Sequence, residues 1–459
     1  MAKSVTNTTQ VAQLLFQRPS AFQQQQLITQ AKLCLLDDLA ATLGARQAPA
    51  LNQLKAVYHA QDLQLPAIGA QPAVTPDHVA LLNGFSAHYL DIDDTNADLR
   101  GHPSAVIFAS LFALTDGSET LAQLLWAAVV GIEFAGQCGR LLNPQLAFQG
   151  IHTTGAIGTL AAAAAIANYK QLTLGQTQAL LSLAATQATA LEIEAGSDGK
   201  PLNAGYAARN AVTAYQHVQA GLTASLDPFD NQRGWFHAFA HADFDPQTFA
   251  KYWLQPGEIL TPGMWYKSQP FCSAAMSGFD AAVALRSYGI DLAQCAHIQI
   301  DFPENADHAL RFTNPQTGQE GKFSSEYVVW LALQYDQLPA TAFSKQATSQ
   351  AFQRASHLFQ RTHNLRTLDP STRPTAVTVT TKTGRSLTIR VDYPKGSPQN
   401  PLDQSDLFAK FKQQAGLTTI ESVQAFWHRP NNQVTVADLA QCLTNLSDRS
   451  LFHETQVSQ

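Results

Sequence analysis

Apolar residues recur at helical spacing through most of the first 265 positions. Ser20, Thr75 and Ser118 stand where capping hydroxyls are expected, and Pro103 suits the first turn of a helix. The pattern predicts helices over 20–44, 75–90, 103–114, 118–138, 153–168, 175–194 and 203–222. No convincing strand precedes Trp265, so this half of the chain is predicted to be all-α.

The second half of the chain contains short runs in which polar and apolar residues alternate. Residues 297–302 are rich in strand formers, and residues 376–391 are predicted to form two strands around a turn at Gly384. Helical patterns separate these strands at 324–338 and 349–359. This alternation of elements is typical of an α+β domain.

Amphipathic helices return at 406–415, after a loop rich in proline and glycine. We therefore expect the C-terminal segment to rejoin the first domain. The predicted fold is mainly α, with a large all-helical domain built from both chain ends, 1–265 and 396–459. A smaller α+β domain is predicted over 266–395.

Composition and charge exclude several classes of protein. Of the 459 residues, 45% are hydrophobic and only 14% are charged, which allows a large buried interior and argues against disorder. The net charge is −6 and the pI is about 6.1, with no basic stripe along the chain. A nucleic-acid partner is therefore not expected.

The cysteines and the apolar stretches bear on cellular location. Five cysteines are scattered singly with no CxxC pair, which predicts reduced thiols in a cytoplasmic protein and offers no iron–sulfur spacing. The first residues, MAKSVTNTTQ, lack the apolar core of a signal peptide. Apolar stretches such as 121–132 are shorter than the ~20 residues of a membrane span, so no membrane association is expected.

One polar segment stands out between two apolar helices. Residues 83–104, NGFSAHYLDIDDTNADLRGHPS, carry aspartates, a threonine, an arginine and two histidines. Polar loops between buried helices frequently carry chemistry. A calcium loop is excluded, because Asn96 replaces the required glycine and His102 the required glutamate. The residues expected only to brace the loop are Asp93, Asp94 and Arg100.

Other motifs for metals and nucleotides are not supported. His237 and His241 could face a metal from one helix with Asp243 nearby, but the chain has no HExxH pattern, and no metal is predicted. The segment GSDGKP does not follow a predicted strand, and Pro201 stands where a phosphate-binding loop needs serine or threonine. No cofactor is therefore expected.

The remaining candidates are polar residues beside glycines, at helix starts or in the polar segment: Asp91, Thr95, His102, His152, Lys200 and Tyr327. Singly, a histidine or lysine at a helix start is more often structural than catalytic. Together they supply the groups that an acid–base site for carboxylate substrates requires. Lysine and histidine neutralise carboxylates, histidine or tyrosine moves a proton, and aspartate orients a partner.

Several segments also resemble a known family. They are, in chain order, HYLDIDDTNADLRGHPSA, GIHTTGAIGTLAAAAA, GSDGKPLNAGYAAR, KSQPFCSAAMSGFDAA and GKFSSEYVVWLAL. Their order and spacing resemble the MmgE/PrpD family, which includes 2-methylcitrate dehydratase, cis-aconitate decarboxylase and, among its relatives, an iminodisuccinate epimerase. The resemblance implies a helical domain from both chain ends, a smaller α+β lid with the active site between them, and a homodimer without a required metal or organic cofactor.

The resemblance also implies roles for the candidate residues. His102 and His152 would transfer protons or contact a carboxylate, and Lys200 would anchor one. Asp91 and Thr95 would position substrate, and Tyr327 would donate a hydrogen bond or proton from the lid. The implied activity is that of a lyase that moves a proton next to a carboxylate of a small polycarboxylate and eliminates water or carbon dioxide.

Two positions depart from the family pattern. Asn203 follows Lys200-Pro201-Leu202 where the family often has histidine, and Met276 stands in the lid motif where a histidine is usual. Met276 would then face the substrate without a titratable group. Two alternatives therefore stay open: an epimerase or isomerase of a small dicarboxylate, and a non-catalytic relative that binds polycarboxylates.

Overall fold

The computed structural model of the chain describes residues 6–240, 244–366 and 372–454. The fold is mainly α, since 54% of the chain is helical and the sheets are small. The described residues form two compact units. Of the described residues, unit 1 comprises 6–193, 200–240, 244–264 and 403–454, and unit 2 comprises 194–199, 265–366 and 372–402. His241 and Asp243 lie outside the described residues.

Unit 1 is built mainly from helices. The first twelve helices of the chain are α1 (Asn7–Leu14), α2 (Ala21–Gly44), α3 (Pro49–Val57), α4 (Pro76–Tyr89), α5 (Pro103–Leu114), α6 (Leu121–Leu142), α7 (Gln145–Phe148), α8 (Thr153–Tyr169), α9 (Leu174–Ala185), α10 (Gly199–Gln219), α11 (Trp235–Ala240) and α12 (Pro246–Tyr252). A two-residue strand, β1 (Thr95–Asn96), lies in the loop between α4 and α5. This strand was not predicted, because two residues are too few to produce an alternating pattern.

The core of unit 1 is centred on α8. All of its residues are buried, and it packs against α5, α6 and α9. The sequence TTGAIGTLAAAAAIANY makes this possible, because small side chains allow neighbouring helices to approach closely. A Cβ placed on Gly131 of α6 would already lie 3.1 Å from the carbonyl oxygen of Ala161. The N-terminus of α8, where His152 lies, is thereby held against its neighbours.

Helix α6 begins and ends a few residues later than the sequence predicted, at Leu121 and Leu142 instead of 118 and 138. It spans 22 residues and is long and apolar enough to cross a membrane by length and composition. The prediction that this apolar stretch is too short for a membrane span was therefore wrong. However, 89% of its most apolar window is buried inside the protein, as in the core helix of a globular domain. Its cap also differs from the prediction: Thr120 and Gln123 form a capping box, whereas the hydroxyl of Ser118 bonds Asp116.

Unit 2 contains one four-stranded sheet covered by helices. A further two-residue strand, β2 (Met264–Trp265), precedes it in the chain. The sheet strands are β3 (Cys295–Asp301), β4 (Phe359–Thr362), β5 (Thr375–Thr381) and β6 (Ser386–Val391), in the spatial order β4-β3-β5-β6. Strand β4 pairs parallel to β3, and the other pairs are antiparallel. The helices are α13 (Met276–Ser287), α14 (Gly318–Gly321), α15 (Ser325–Gln334) and α16 (Gln350–Ala355).

The chain then returns to unit 1 through three helices, α17 (Gln404–Gln414), α18 (Glu421–Trp427) and α19 (Val436–Glu454). Helix α17 packs on α2, although the two are separated by most of the chain. Their contact includes the buried ion pair between Lys410 Nζ and Asp37 Oδ1, at 2.6 Å. Lys410 Nζ also donates to the carbonyl oxygen of Ile92 at 2.6 Å, so α17 braces the loop between α4 and α5.

Candidate active site

The loop between α4 and α5 is turned by an aspartate in the left-handed backbone region. Asp91 has a φ of +59°, a conformation that few residues other than glycine, asparagine and aspartate adopt readily. Its Oδ1 atom lies 2.9 Å from Lys200 Nζ and 3.4 Å from His102 Nε2. The turn therefore brings one carboxylate beside two groups from other parts of the chain.

The end of this loop is fixed to the start of α8. A Cβ on residue 101 would meet the hydroxyl oxygens of Thr153 and Thr154 at 2.9 Å, so Gly101 is needed for the close approach. The backbone N–H of His102 donates to Thr154 Oγ1 at 3.1 Å. His102 directly precedes Pro103, the first residue of α5, and its position is set from both sides.

A fully buried aspartate holds two histidines together. Asp93 Oδ2 lies 2.8 Å from His88 Nδ1 and 3.1 Å from His102 Nδ1. The two imidazole rings meet edge to face, with centroids 4.4 Å apart. Burial alone would raise the pKa of Asp93, but the attraction and hydrogen bonds of His102 and His88 outweigh it and hold the pKa well below its usual value. Asp93 is therefore ionised.

Lys200 lies in the first turn of α10 and is buried. Its Nζ atom is 2.7 Å from His88 Nε2 and 2.9 Å from Asp91 Oδ1. Since an ammonium can only donate, His88 Nε2 must accept, and its Nδ1–H then donates to Asp93. Burial and the lysine charge lower the pKa of His88, against the pull of Asp93. His88 is thus neutral, and Lys200 supplies the positive charge.

His152 directly precedes α8, and its ring stacks on the ring of His88. Its ring centroid is 5.7 Å from that of His88, with the planes nearly parallel. Its Nδ1 atom lies 3.2 Å from Nδ2 of Asn203, on α10. Burial, reinforced by the charge of Lys200, lowers the pKa of His152 well below that of a free histidine. The imidazole is therefore neutral at pH 7.

The described residues bring four of the predicted site groups together in unit 1, namely Asp91, His102, His152 and Lys200. Thr95 is in the same loop and buried, and its hydroxyl has no hydrogen-bond partner among the residues that the structure describes. Tyr327 and Met276 belong to unit 2. Tyr327 donates its hydroxyl to the carbonyl oxygen of Ala342 at 3.0 Å, and burial raises its pKa to about 12.

The same cluster has the composition of a metal site. His88, Asp91, Asp93 and His102 offer ligand atoms that all lie within 4.8 Å of one another. Lys200 Nζ, however, already contacts two of these residues at hydrogen-bond distance, and an ammonium next to a divalent cation would be strongly repelled. The donor set therefore fits the lysine as its resident cation better than it fits a metal.

Behind the site lies a second layer of buried carboxylates. Asp94 accepts a hydrogen bond from Ser104 Oγ at 2.5 Å. Burial and the nearby Asp37 nevertheless raise the pKa of Asp94 to about 8. Burial and the charges of the neighbouring aspartates raise the pKa of Asp38 well above its usual value as well. At neutral pH this layer therefore retains protons that the same carboxylates would lose in water.

Models of known families match both parts of the chain. The MmgE/PrpD N-terminal domain matches residues 10–247, and the MmgE/PrpD C-terminal domain matches residues 270–429. The chain belongs to the MmgE/PrpD family. The N-terminal match alone covers the polar loop, the alanine-rich helix and the start of α10, which carry the clustered residues of unit 1.

Curated relatives of this MmgE/PrpD protein include cis-aconitate decarboxylases. The enzyme of Mus musculus is 27% identical over 391 residues, which cover 79% of this chain and 75% of the relative. The enzyme of Homo sapiens is 26% identical over 424 residues, covering 86% and 80%. A cis-aconitate decarboxylase-like protein of Aspergillus oryzae is 27% identical over 223 residues, or 46% of each chain. These likenesses support a lyase-type enzyme.

Sequence reasoning missed three residues of the cluster in this MmgE/PrpD protein. His88 was not singled out, although it lies in the last turn of α4, just before the polar loop. Asp93 was expected only to brace the loop, but it contacts both histidines. Asn203 was noted only as a departure from the family pattern. A signal was present, because Asn203 follows Lys200 by three positions and so shares its helix face.

The buried Asp94 carboxyl predicts a pH dependence of stability. Because its folded pKa lies above its unfolded value, the folded state holds a proton that the unfolded state releases, and stability falls as pH rises from about 4 to 8. Asp94→Asn mimics the protonated acid and should remove the contribution of Asp94 to this slope, while that of Asp38 remains. We expect its gain over wild type to grow by about 1.4 kcal/mol per pH unit across that interval, measured by urea unfolding.

The surface offers a matched control for this variant. Asp116 also accepts a hydrogen bond from a serine hydroxyl, that of Ser118, but it is exposed. Hydrogen bonds from the hydroxyl and the backbone N–H of Ser118 lower the pKa of Asp116. The stability of Asp116→Asn relative to wild type should therefore not increase as pH rises. Equal pH slopes for wild type and Asp94→Asn would contradict the assignment of a retained proton to Asp94.

Proposed function

We propose that this protein is a lyase that transfers a proton next to a carboxylate of a small polycarboxylate and eliminates carbon dioxide or water. The observation that carries the proposal is the buried contact of Lys200 with Asp91 and His88, beside His102. An ammonium in a buried acid–base cluster suits a reaction in which negative charge develops on carbon and its attached carboxylate.

The charge of the cluster explains why lysine is central. The side chains of Asp91 and Asp93 are carboxylic acids, which cannot attract a substrate carboxylate. The rings of His88 and His152 are neutral, because burial and the charge of Lys200 lower the pKa of both. Lys200 is therefore the group that attracts a substrate carboxylate most strongly. In a buried site such attraction is much larger than in water, and it increases as charge moves onto the carboxylate during the reaction.

His102 is the proposed proton-transfer group. Its Nε2 atom faces Asp91 Oδ1 and its Nδ1 atom faces Asp93, so an N–H at either nitrogen has a carboxylate oxygen to which it can donate. In a decarboxylation, the bond to the carboxyl carbon breaks, carbon dioxide leaves, and the electron pair left on carbon takes a proton from His102. In a dehydration, a base removes the proton from carbon, and the hydroxyl leaves with a proton as water.

Two further groups are assigned substrate contacts in this proposal. Thr95 is buried, and its hydroxyl, which has no partner among the described residues, can serve as a donor. Tyr327 would donate from unit 2, but it would first have to exchange its bond to Ala342 for one to the substrate. We also propose that the protein acts as a cytoplasmic homodimer that needs neither metal nor organic cofactor.

The names of the relatives suggest the first substrate to test. Cis-aconitate carries three carboxylates, and the relatives of mouse and human are named for its decarboxylation. We propose a substrate of this class, with cis-aconitate as the first member to assay. The panel should include citrate-, aconitate- and aspartate-like acids, incubated with purified protein and followed by mass spectrometry.

The outcomes of this panel separate the candidate functions. Loss of 44 or 18 mass units from one acid, corresponding to carbon dioxide or water, supports the lyase. No turnover of any acid, with thermal stabilisation by one of them, would instead favour a binding protein. No turnover and no stabilisation would remove the proposal altogether.

A second candidate reaction is epimerisation of a small dicarboxylate. Met276 favours it, because a buried thioether replaces a group that could titrate near neutral pH. The same proton chemistry would then run without elimination. Running the panel in deuterated water distinguishes the two reactions: deuterium entering beside the carboxylate without loss of water or carbon dioxide would point to the epimerase.

A further inference from the structure

Asn203 makes two hydrogen bonds through one amide nitrogen. Its Nδ2 atom lies 3.1 Å from the carbonyl oxygen of Leu191 and 3.2 Å from His152 Nδ1. All three residues belong to unit 1, and Asn203 lies one turn after Lys200 on α10. This amide therefore touches a histidine of the candidate site without belonging to the acid–base groups themselves.

The carbonyl of Leu191 decides which way the amide faces. A backbone carbonyl can only accept, so the amide nitrogen of Asn203, and not its oxygen, must point toward it. The reversed amide would place two oxygens 3.1 Å apart with no proton between them. Since one N–H is directed to Leu191, the second N–H of the same nitrogen is directed to His152 Nδ1, which must accept.

We infer that Asn203 is a positioning residue that holds His152 as the neutral tautomer with its proton on Nε2. The ring then presents an N–H donor at Nε2 and has no free lone pair with which to remove a proton from substrate. His152 is thereby assigned to hydrogen-bond donation, and the task of the base falls to another group.

The surroundings of His152 act in the same direction, because burial and the charge of Lys200 both disfavour a charged ring. The groups that face it are Lys200 on α10, His88 on α4, and His102 and Asp91 in the loop before α5. Only Asp91 favours a charged ring, and its effect is the smallest of these. Protonation at Nδ1 would also set an N–H against the amide N–H of Asn203. Burial first, and then the charge of Lys200, lower the pKa of His152 well below that of a free histidine.

The consequence for catalysis rests on the proposed function. With a polycarboxylate bound at Lys200, a neutral His152 donates its Nε2–H to a carboxylate oxygen as negative charge accumulates there. A neutral donor keeps its proton through the reaction more readily than an imidazolium would.

The tautomer can be measured without any substrate. In protein labelled with ¹⁵N-histidine, NMR correlations between ring nitrogens and ring protons distinguish the two neutral tautomers and the cation. The chain has 14 histidines, so His152→Gln identifies the relevant signals by difference. We expect wild-type His152 to be the Nε2–H form between about pH 6 and pH 8, an interval in which a free histidine titrates. An Nδ1–H form or a cation there would overturn the inference.

Asn203→Asp tests whether the amide is the cause. A carboxylate at this position accepts from Nδ1–H and attracts a cation, so His152 should change tautomer and titrate near neutral pH. Asn203→Leu removes both hydrogen bonds and should yield a mixture of tautomers, which keeps the test available if the aspartate variant does not fold. Unchanged His152 signals in both variants would also overturn the inference.

Asn210→Asp is the matched control. Asn210 lies on the same helix and donates through Nδ2 to the carbonyl oxygen of Gln187, but it contacts no site histidine. This variant should leave the His152 signals and the pH–rate profile unchanged. With an acid turned over by the wild type, Asn203→Asp should lower the rate on the order of 10²-fold at pH 7 and add an ionisation to the profile.

The two kinds of measurement fail independently. If no acid is turned over, the proposed function fails while the NMR result still decides the tautomer. If turnover is found but Asn203→Asp changes neither the profile nor the rate, the positioning role fails and the lyase assignment stands.

Discussion

Replacing Lys200 by methionine should lower turnover by roughly 10³-fold or more. Methionine keeps most of the length of the side chain and removes its charge. The substrate then loses the cation that offsets the negative charge developing on its carboxylate. The loss should appear mainly in kcat, because the attraction is strongest in the transition state.

Stability and chemistry must be separated in this experiment. Lys200→Met also leaves Asp91 buried without its cation, and breaking such a pair costs about 3–5 kcal/mol. The double variant Lys200→Met/Asp91→Asn removes both charges, and asparagine tolerates the left-handed backbone at position 91. It should regain much of the stability without regaining activity.

Lys170→Met supplies the control for a lost lysine charge. Lys170 pairs with Glu119 at 3.0 Å and is also partly buried, but it lies at the opposite end of α8 from His152. Its variant should keep the wild-type rate. A folded Lys200→Met protein with a rate within tenfold of wild type would refute the central role of the ammonium.

His102→Gln should lower turnover by about 10²- to 10⁴-fold, the range for loss of a general acid–base group. Glutamine preserves the backbone N–H that bonds Thr154, so the loop should stay attached to α8. It removes the ring that faces both Asp91 and Asp93. The limb of the pH–rate profile that reports His102 should disappear together with the rate.

His78→Gln is the corresponding control for a lost imidazole. His78 lies 3.7 Å from Asp77 and packs on Tyr58 near the start of α4, in the same unit. Its loss removes a histidine–carboxylate contact of the same kind without affecting the site. If both variants retained wild-type rates and profiles, His102 would have no part in proton transfer.

Helices with strong local signals were predicted well from the sequence. The prediction for 103–114 matches α5, and 20–44 matches α2, whose Ser20 hydroxyl accepts from the N–H of Gln23 as expected. These signals lie within a few residues of the element that they define, so no tertiary information is required. The prediction of a helix over 153–168 matches the alanine-rich α8 for the same reason.

Elements that depend on distant partners were predicted less well. Residues 349–359 were assigned to one helix, but α16 ends at Ala355 and β4 begins at Phe359, where the chain pairs with β3. The run 175–194 was likewise too long, because α9 ends at Ala185. In both places tertiary contacts override a helical pattern that is weak near its end.

The identities of the site residues could be predicted from the sequence better than the contacts between them. Asp91 and Lys200 could be chosen by residue type and resemblance, but their contact depends on a left-handed turn and on the start of α10. His88 could not be ranked above other buried histidines until Asp93 and Lys200 were seen on its two nitrogens. Which tautomer a histidine adopts is a property of such partners, and the sequence does not contain it.

The ion pair between Lys410 and Asp37 has a consequence for how the protein is made. On the ribosome, α2 and the polar loop emerge long before residue 410. Asp37 and the carbonyl of Ile92 therefore cannot bind Lys410 until synthesis is almost complete. The buried apolar residues of α17, Leu407, Phe408 and Phe411, are likewise made late, so the surface of α2 on which α17 packs stays uncovered until then. Nascent chains that expose apolar surface are prone to aggregate. We therefore expect the yield of folded enzyme to depend on chaperones during translation more strongly than its final stability suggests.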